Sequence, residues 1–340
     1  MLKKFLQRKD IIISGRRYGI DAMSAMAQGL FCTLLIGTIF KTIGTQSGVE
    51  FFTTLGGYAS AMAGPAMAAA IAYALKAPGM VIFSLIPVGY ATNLLGGAGG
   101  PFAVYVVSIL ATEFGKAVSK ETKVDILVTP SVTLLVGIGL ASLVASPIGT
   151  AASSIGNLIM WATELQPFLM GMLVAVIVGI CLTLPISSAA ICAGLGLTGL
   201  AGGAALAGCC AQMVGFAALS FKENRWGGVV SQGLGTSMLQ MANILKNPKV
   251  WIAPILSSMI TGPLATCVFH LEMNGAAVNS GMGTCGLCGP IGVWTGWNSP
   301  SVMDWTGLIL ICFVLPALLS ILIGTVLRRI GWIREGDLTI

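Results

Sequence analysis

Charge is scarce in this sequence. Only 9% of its 340 residues are Asp, Glu, Lys or Arg, against about 25% in a soluble domain. A folded surface so poor in charge would not stay dispersed in water. It suits a bilayer, where the outer face must be apolar. The runs Phe51 to Leu75, Ala77 to Thr112, Ile126 to Thr163 and Leu165 to Phe221 contain no charged residue and no histidine. A membrane-crossing helix needs roughly 20 apolar residues, so the longer runs hold two passes each, or a pass and a hairpin. The two-residue alternation of a membrane β-barrel is missing. The expected class is an all-α polytopic membrane protein of about ten transmembrane helices plus two re-entrant hairpins.

Histidine is nearly absent too. His270, the single one, falls at a predicted helix end in Phe269-His270-Leu271-Glu272. Glu164, Glu272 and Asp304 also fall near predicted membrane boundaries. Ionisable residues at mid-bilayer mark proton relays and counter-ion sites. Their lack here disfavours a cationic substrate and carboxylate-based proton coupling. The nine cysteines lie mostly in apolar runs and behave there as small hydrophobes. Cys285 and Cys288 have metal-ligand spacing, but zinc needs two further ligands, and the sequence has no second CxxC and no histidine pair. No metal and no cofactor is expected. Met1 to Arg17 lacks a small-residue cleavage site and reads as an interfacial helix, not a cleaved signal.

The net charge of +6 is placed unevenly. Lys3, Lys4, Arg8, Lys9, Arg16 and Arg17 precede the first span, and Arg328, Arg329 and Arg334 follow the last. Lysine and arginine collect on the cytoplasmic side, so both termini are expected there, in a bacterial plasma membrane. This basicity reports topology and not a nucleic-acid footprint. Thr112 to Asp125, with three lysines, reads as a solvated cytoplasmic connection.

Glycine is abundant, 45 residues. It allows close helix approach in lipid, and in clusters it breaks helices. The stretch Trp226–Leu245 is uncharged and lies between Lys222 and Arg225 on one side and Lys246 and Lys249 on the other. A straight crossing would put these basic groups on opposite faces. A hairpin that dips in and returns keeps both on one face, with Gly227, Gly228, Gly233 and Gly235 expected at the turn. Non-helical backbone at membrane depth is tolerable only where protein or a wet cavity covers it. A second glycine-rich stretch, about 275–297, reads the same way. Residues 1–160 are expected to form a scaffold and dimerisation half with five spans. Residues 161–340 form a transport half holding the two hairpins, about 226–245 and 275–297.

Ser231-Gln232-Gly233-Leu234-Gly235 followed by Asn247-Pro248-Lys249-Val250-Trp251 resembles a motif pair of the EIIC permeases of the sugar phosphotransferase system, closest to the fructose-type branch. Leu184-Pro185-Ile186-Ser187-Ser188-Ala189-Ala190 and Ala77-Pro78-Gly79 are similar to two further family signatures. The chain also resembles the EIIC-like proteins of the PfoR toxin-regulator type, over roughly residues 15 to 330. The resemblance implies an elevator-like movement, a homodimer joined through the first half and a small-molecule substrate. It also implies a site at the hairpins. In the family a hairpin glutamate contacts the sugar hydroxyl that receives phosphate. Gln232 stands there in this chain, and an amide cannot accept that proton. The family's Asn-Lys pair is Ser187-Ser188, and its Pro-His-Gly-Gly hairpin has Gly289-Pro290-Ile291-Gly292 as nearest match.

The expected substrate contacts are Gln232 first, with Ser231, Gly233 and Thr236, then Ser187, Ser188, Asn279, Thr284 and Asn93. No catalytic residue is expected. Against Gln232 as a contact stands a plainer reading, in which it bonds only the hairpin backbone. Gln212 reads as a bridge between helices. Three functions follow. The favoured one is transport of a small neutral or anionic solute without phosphorylation. A second is a membrane sensor with a cytoplasmic regulatory partner. The third is a phosphotransferase permease served by separate EIIA and EIIB proteins.

Overall fold

A computed structural model describes residues 2–297 and 299–340, with side chains from residue 4 onward. Every regular element among them is helical. Helix α1 spans Leu2–Arg8, within the segment from Met1 to Arg17 expected to lie at the interface; Met1 lies outside the described residues. The long elements that follow are α2 (Arg16–Ser47), the pair α3 (Glu50–Ala61) and α4 (Ala63–Ala74) bent by 49°, α5 (Gly79–Gly96), α6 (Gly100–Val118), α7 (Asp125–Thr163) and α8 (Pro167–Thr183). After a short α9 (Ser188–Leu195) come α10 (Gly199–Leu219), α11 (Phe221–Val230), α12 (Met241–Lys246), α13 (Pro248–Val268), α14 (Cys288–Trp294) and α15 (Val302–Arg329).

By length and apolarity six helices suffice to cross a membrane, or seven with the bent pair, fewer than the expected ten or so. The difference lies in α5 and α6, which together make one continuous 40-residue apolar stretch, and in α8, which is 17 residues long. Pro130 and Pro147 both sit inside the single 39-residue helix α7. α5 and α6 are in fact antiparallel. Val81 lies against Gly115 and Gly96 against Ala103, and Gly97 turns the chain at φ +49°.

The chain divides into two compact units, Met1–Gly37 with Thr54–Ala151, and Thr38–Thr53 with Ala152–Ile340. The division differs from the expected 160/161 boundary chiefly in Thr38–Thr53, which group with the later residues.

In the first unit the helices meet through small residues. Gly64 and Gly89 bring α4 and α5 into backbone contact, and a Cβ on either would strike the other's carbonyl. Lipid tails are as apolar as leucine, so such close packing, not hydrophobic burial, joins helices in a bilayer. One end of this unit is tied by charge. Arg17 donates to Asp10 at 2.6 Å and to the Leu75 carbonyl at 2.6 Å. Lys116 donates to that same carbonyl at 3.0 Å and to the Asp10 backbone at 2.7 Å. Two cations thus sit at the carboxyl end of α4, where its unpaired carbonyls and dipole favour them. The Arg17 hydrogen bond holds the Asp10 carboxyl below the usual aspartate value.

In the second unit α10 is the axis. It is apolar on all sides, as expected of a helix surrounded by protein, and packs against α8, α13 and α15. Gly208 makes the contact with α8 possible, because a Cβ there would overlap the Ala175 carbonyl. Behind α10, Leu206, Cys210, Leu271, Met273, Val293 and Ile311 form a continuous core.

Candidate solute site

Both expected hairpin stretches fold back on themselves. In the first, α11 continues through a wide turn, Ser231–Gly235, breaks, and returns through Ser237–Gln240 into α12. Asn224 before it and Gln240 after it both donate to the Leu338 carbonyl, at 2.7 and 2.9 Å. Asn243 donates to the Thr339 carbonyl, and Asn247 to the Trp332 carbonyl. The two feet are therefore held side by side by the C-terminal segment.

The turn differs from expectation. Gly227, Gly228, Gly233 and Gly235 lie within the helical arm. The break is Thr236, extended at φ −159° and ψ 145°, whose hydroxyl accepts from Met238 N. Thr236 can break the arm because its own side chain replaces the lost helical acceptor. The entry bend is Arg225, at φ +50°, a conformation that side chains other than glycine adopt at a cost.

In the second hairpin the feet are joined through the backbone. Gly275 N donates to the Gly292 carbonyl at 2.8 Å, and Asn274 to the Val293 carbonyl at 3.1 Å. Gly283, Gly286 and Leu287 all have positive φ at its far end.

The far ends of both hairpins meet halfway along α10. Thr284 donates to the Gly233 carbonyl, and Gly283 lies against Cys209 and Met213. The break after α8 arrives at the same level. Thr183 is 2.7 Å from the Ser237 hydroxyl and donates to Gln212 Oε1 at 3.2 Å. Trp251 Nε1 also donates to Gln212 Oε1, at 2.8 Å. An indole N–H can only donate, which fixes the amide's orientation: oxygen toward Trp251, nitrogen away. Thr183 has one hydrogen. It spends that hydrogen on Gln212, so Ser237 must be the donor to Thr183. Both lone pairs of Gln212 Oε1 are then in use. Its Nε2 is buried and has no protein partner among the described residues. Leaving a buried donor unpaired costs about 1–3 kcal/mol. A solute oxygen placed there would recover it.

A family model described as Phosphotransferase system, EIIC matches residues 20–340. The chain belongs to the EIIC family. It is a multi-pass membrane permease of the phosphotransferase-system type. No curated protein and no solved structure matches it.

Within this EIIC chain the expected contacts separate into groups. Gly233, Thr236 and Thr284 are at the meeting of the hairpins. Gln232 is one turn away and faces the feet. Both hydrogens of its amide are used, toward Ser220 Oγ at 2.8 Å and the Gly228 carbonyl at 3.1 Å, and its oxygen accepts from Gln240 at 2.9 Å. Gln240 accepts in turn from Asn243. Ser231 bonds the Gly228 carbonyl within its own arm. Ser187 caps α9 through Ala190 N, and Ser188 donates to the Gly281 carbonyl at the second hairpin. Asn279 packs beside Gly275 and Gly292, at that hairpin's feet. Asn93 belongs to the first unit, in the α5–α6 turn against Gly100.

Thr183, Ser237 and Trp251 are not among the expected contacts. Thr183 lies two residues before Pro185, and Trp251 lies three residues from both Pro248 and Pro254; broken helices near a hairpin are the signal that could have found them. Gln212 does bridge helices as expected, but only through its oxygen. Among the described residues no group of three or more His, Cys, Asp and Glu is placed to hold a metal ion.

Proposed function

We propose that this EIIC-family chain carries a small neutral or anionic solute across the membrane, without phosphorylating it, and that the solute binds where the hairpins meet. The observation that carries this reading is the free amide nitrogen of Gln212. It offers two donors and no acceptor, which suits a hydroxyl, carbonyl or acidic oxygen and repels a cation. Thr183 and Trp251 hold the oxygen of the same amide, Ser237 bonds Thr183, and Thr284 bonds the Gly233 carbonyl, so this network is built of hydroxyls and an indole. Gln232, Ser187, Ser188 and Ser231 then position the hairpins, and Gly233 and Thr236 shape the site. The feet of the first hairpin carry Lys222, Arg225, Lys246 and Lys249 and adjoin Arg328, Arg329 and Arg334, which supports a re-entrant loop with this face and the C-terminus in the cytoplasm. The separate compactness of the two units supports an elevator movement of the second unit, with dimerisation through the first.

Reconstitution into proteoliposomes tests the reading. Labelled hexoses, pentoses, polyols and small carboxylates are offered in turn. Flux of at least one class is expected, unmodified on arrival, and reduced more than ten-fold in Gln212→Met. No flux of any class through folded protein would count against transport. Family membership favours a second reading, a sugar permease coupled to separate EIIA and EIIB proteins. Phosphorylated sugar inside the vesicles, dependent on those partners, would establish it.

A further inference from the structure

A second site lies on the outer flank of α10, away from the hairpins. From Gly202 to Leu219 every residue is buried except Val214 and Ala218, which are half-buried, and both open into a cleft of about 740 Å³. Its opposite wall is a stripe of α15, Ala317, Ile321 and Thr325, spaced four apart on one helical face. Its rim at one end is cationic. Lys222, Arg328 and Arg329 lie there beside the exposed indole of Trp226. Glu223, next to Lys222 in the chain, is taken by Arg328 at 2.7 Å. Lys222 and Arg329 have no anionic partner among the described residues.

From the structure we infer that this cleft binds an anionic phospholipid of the surrounding bilayer, acyl chain along α15 and phosphate at Lys222 and Arg329. Three features match that occupant. The stripe from Ala317 to Arg329 is about 18 Å long, close to one leaflet of a hydrocarbon core roughly 30 Å thick. Its lining is apolar until the rim, where charge begins. The rim offers two unpaired cations and a tryptophan, the pairing that favours a headgroup at a membrane–water boundary. A zwitterionic headgroup would bring its own cation to the rim and lose the advantage.

Native mass spectrometry of the purified full chain in mild detergent tests this. The protein is titrated with phosphatidylglycerol and, separately, with phosphatidylcholine of the same acyl chains. Phosphatidylglycerol is expected to bind at concentrations at least ten-fold lower. Near a membrane surface each basic group contributes enough that losing two shifts half-saturation about thirty-fold. K222Q/R329Q should show that shift, and Ala218→Trp, which fills the cleft without changing charge, should also lose the lipid. Lys123→Ala, which removes an exposed cation of the first unit, should bind as the parent does. Equal binding of the two lipids, undiminished phosphatidylglycerol binding in K222Q/R329Q, or a dimer that occupies the cleft and excludes lipid would overturn the inference.

Discussion

Gln232 and Gln212 are both fully buried in the second unit, yet their surroundings differ in one respect. At the feet of the first hairpin every amide finds a protein partner. Ser220, Gln232, Gln240 and Asn243 form one relay, and the carbonyls of Gly228, Leu338 and Thr339 take the remaining amide hydrogens. At the far end the Gln212 oxygen is doubly engaged and its nitrogen is left over. A satisfied network fixes a structure. A leftover donor in a buried place is available to a ligand. The polar residues that stood out in the sequence are mainly of the first kind.

Substitutions at the feet and at the far end should therefore separate stability from flux. The largest effect is expected at the feet. Gln232→Glu removes at least one donor and introduces a group that can ionise only at high cost in a buried site. It should lower stability by about 3 kcal/mol, read from thermal unfolding in detergent by tryptophan fluorescence, and should not create phosphotransfer. Gln212→Met should do the reverse: flux down more than ten-fold, stability changed by about 1 kcal/mol, since only the Trp251 and Thr183 hydrogen bonds are lost. Next, Thr284→Val deletes the bond to the Gly233 carbonyl at constant shape. About 1 kcal/mol of stability is expected to go, together with faster hydrogen exchange at Gly233 to Ser237. The smallest effect lies in the first unit. Asp10 titrates lower when folded than when unfolded, so its link to Arg17 is fully present at neutral pH. The stabilisation fades as pH falls below the usual aspartate value of ~3.9 and is lost through the lower value of the folded state. The side chain is 41% exposed, so Asp10→Asn should cost less than about 1 kcal/mol and should abolish that part of the acid dependence.

Much of the fold was legible because the bilayer makes simple demands. Charge-free runs located the helices, and basic clusters on both sides of Trp226–Leu245 implied that the segment returns. The turn itself was misplaced. Glycine permits a break but does not compel one, and a threonine that caps the next turn made it instead. Ile126 to Thr163 forms one helix, α7, in spite of Pro130 and Pro147, residues that by themselves suggest a helix end. Gln212 was weighed only as a bridge, since sequence cannot say which of its atoms would be used. The tail's role was invisible for a different reason. Residues 332–340 act largely through backbone carbonyls, which every sequence has.

The central claim is that the solute meets Gln212 and not Gln232. A cryo-electron-microscopy map of the protein purified with its transported solute tests it most directly. Density within hydrogen-bonding distance of Gln212 Nε2 is predicted, with Gln232 still bonded to Ser220 and Gln240. Density seated against a Gln232 released from those partners, with Gln212 Nε2 bonded to protein, would contradict it.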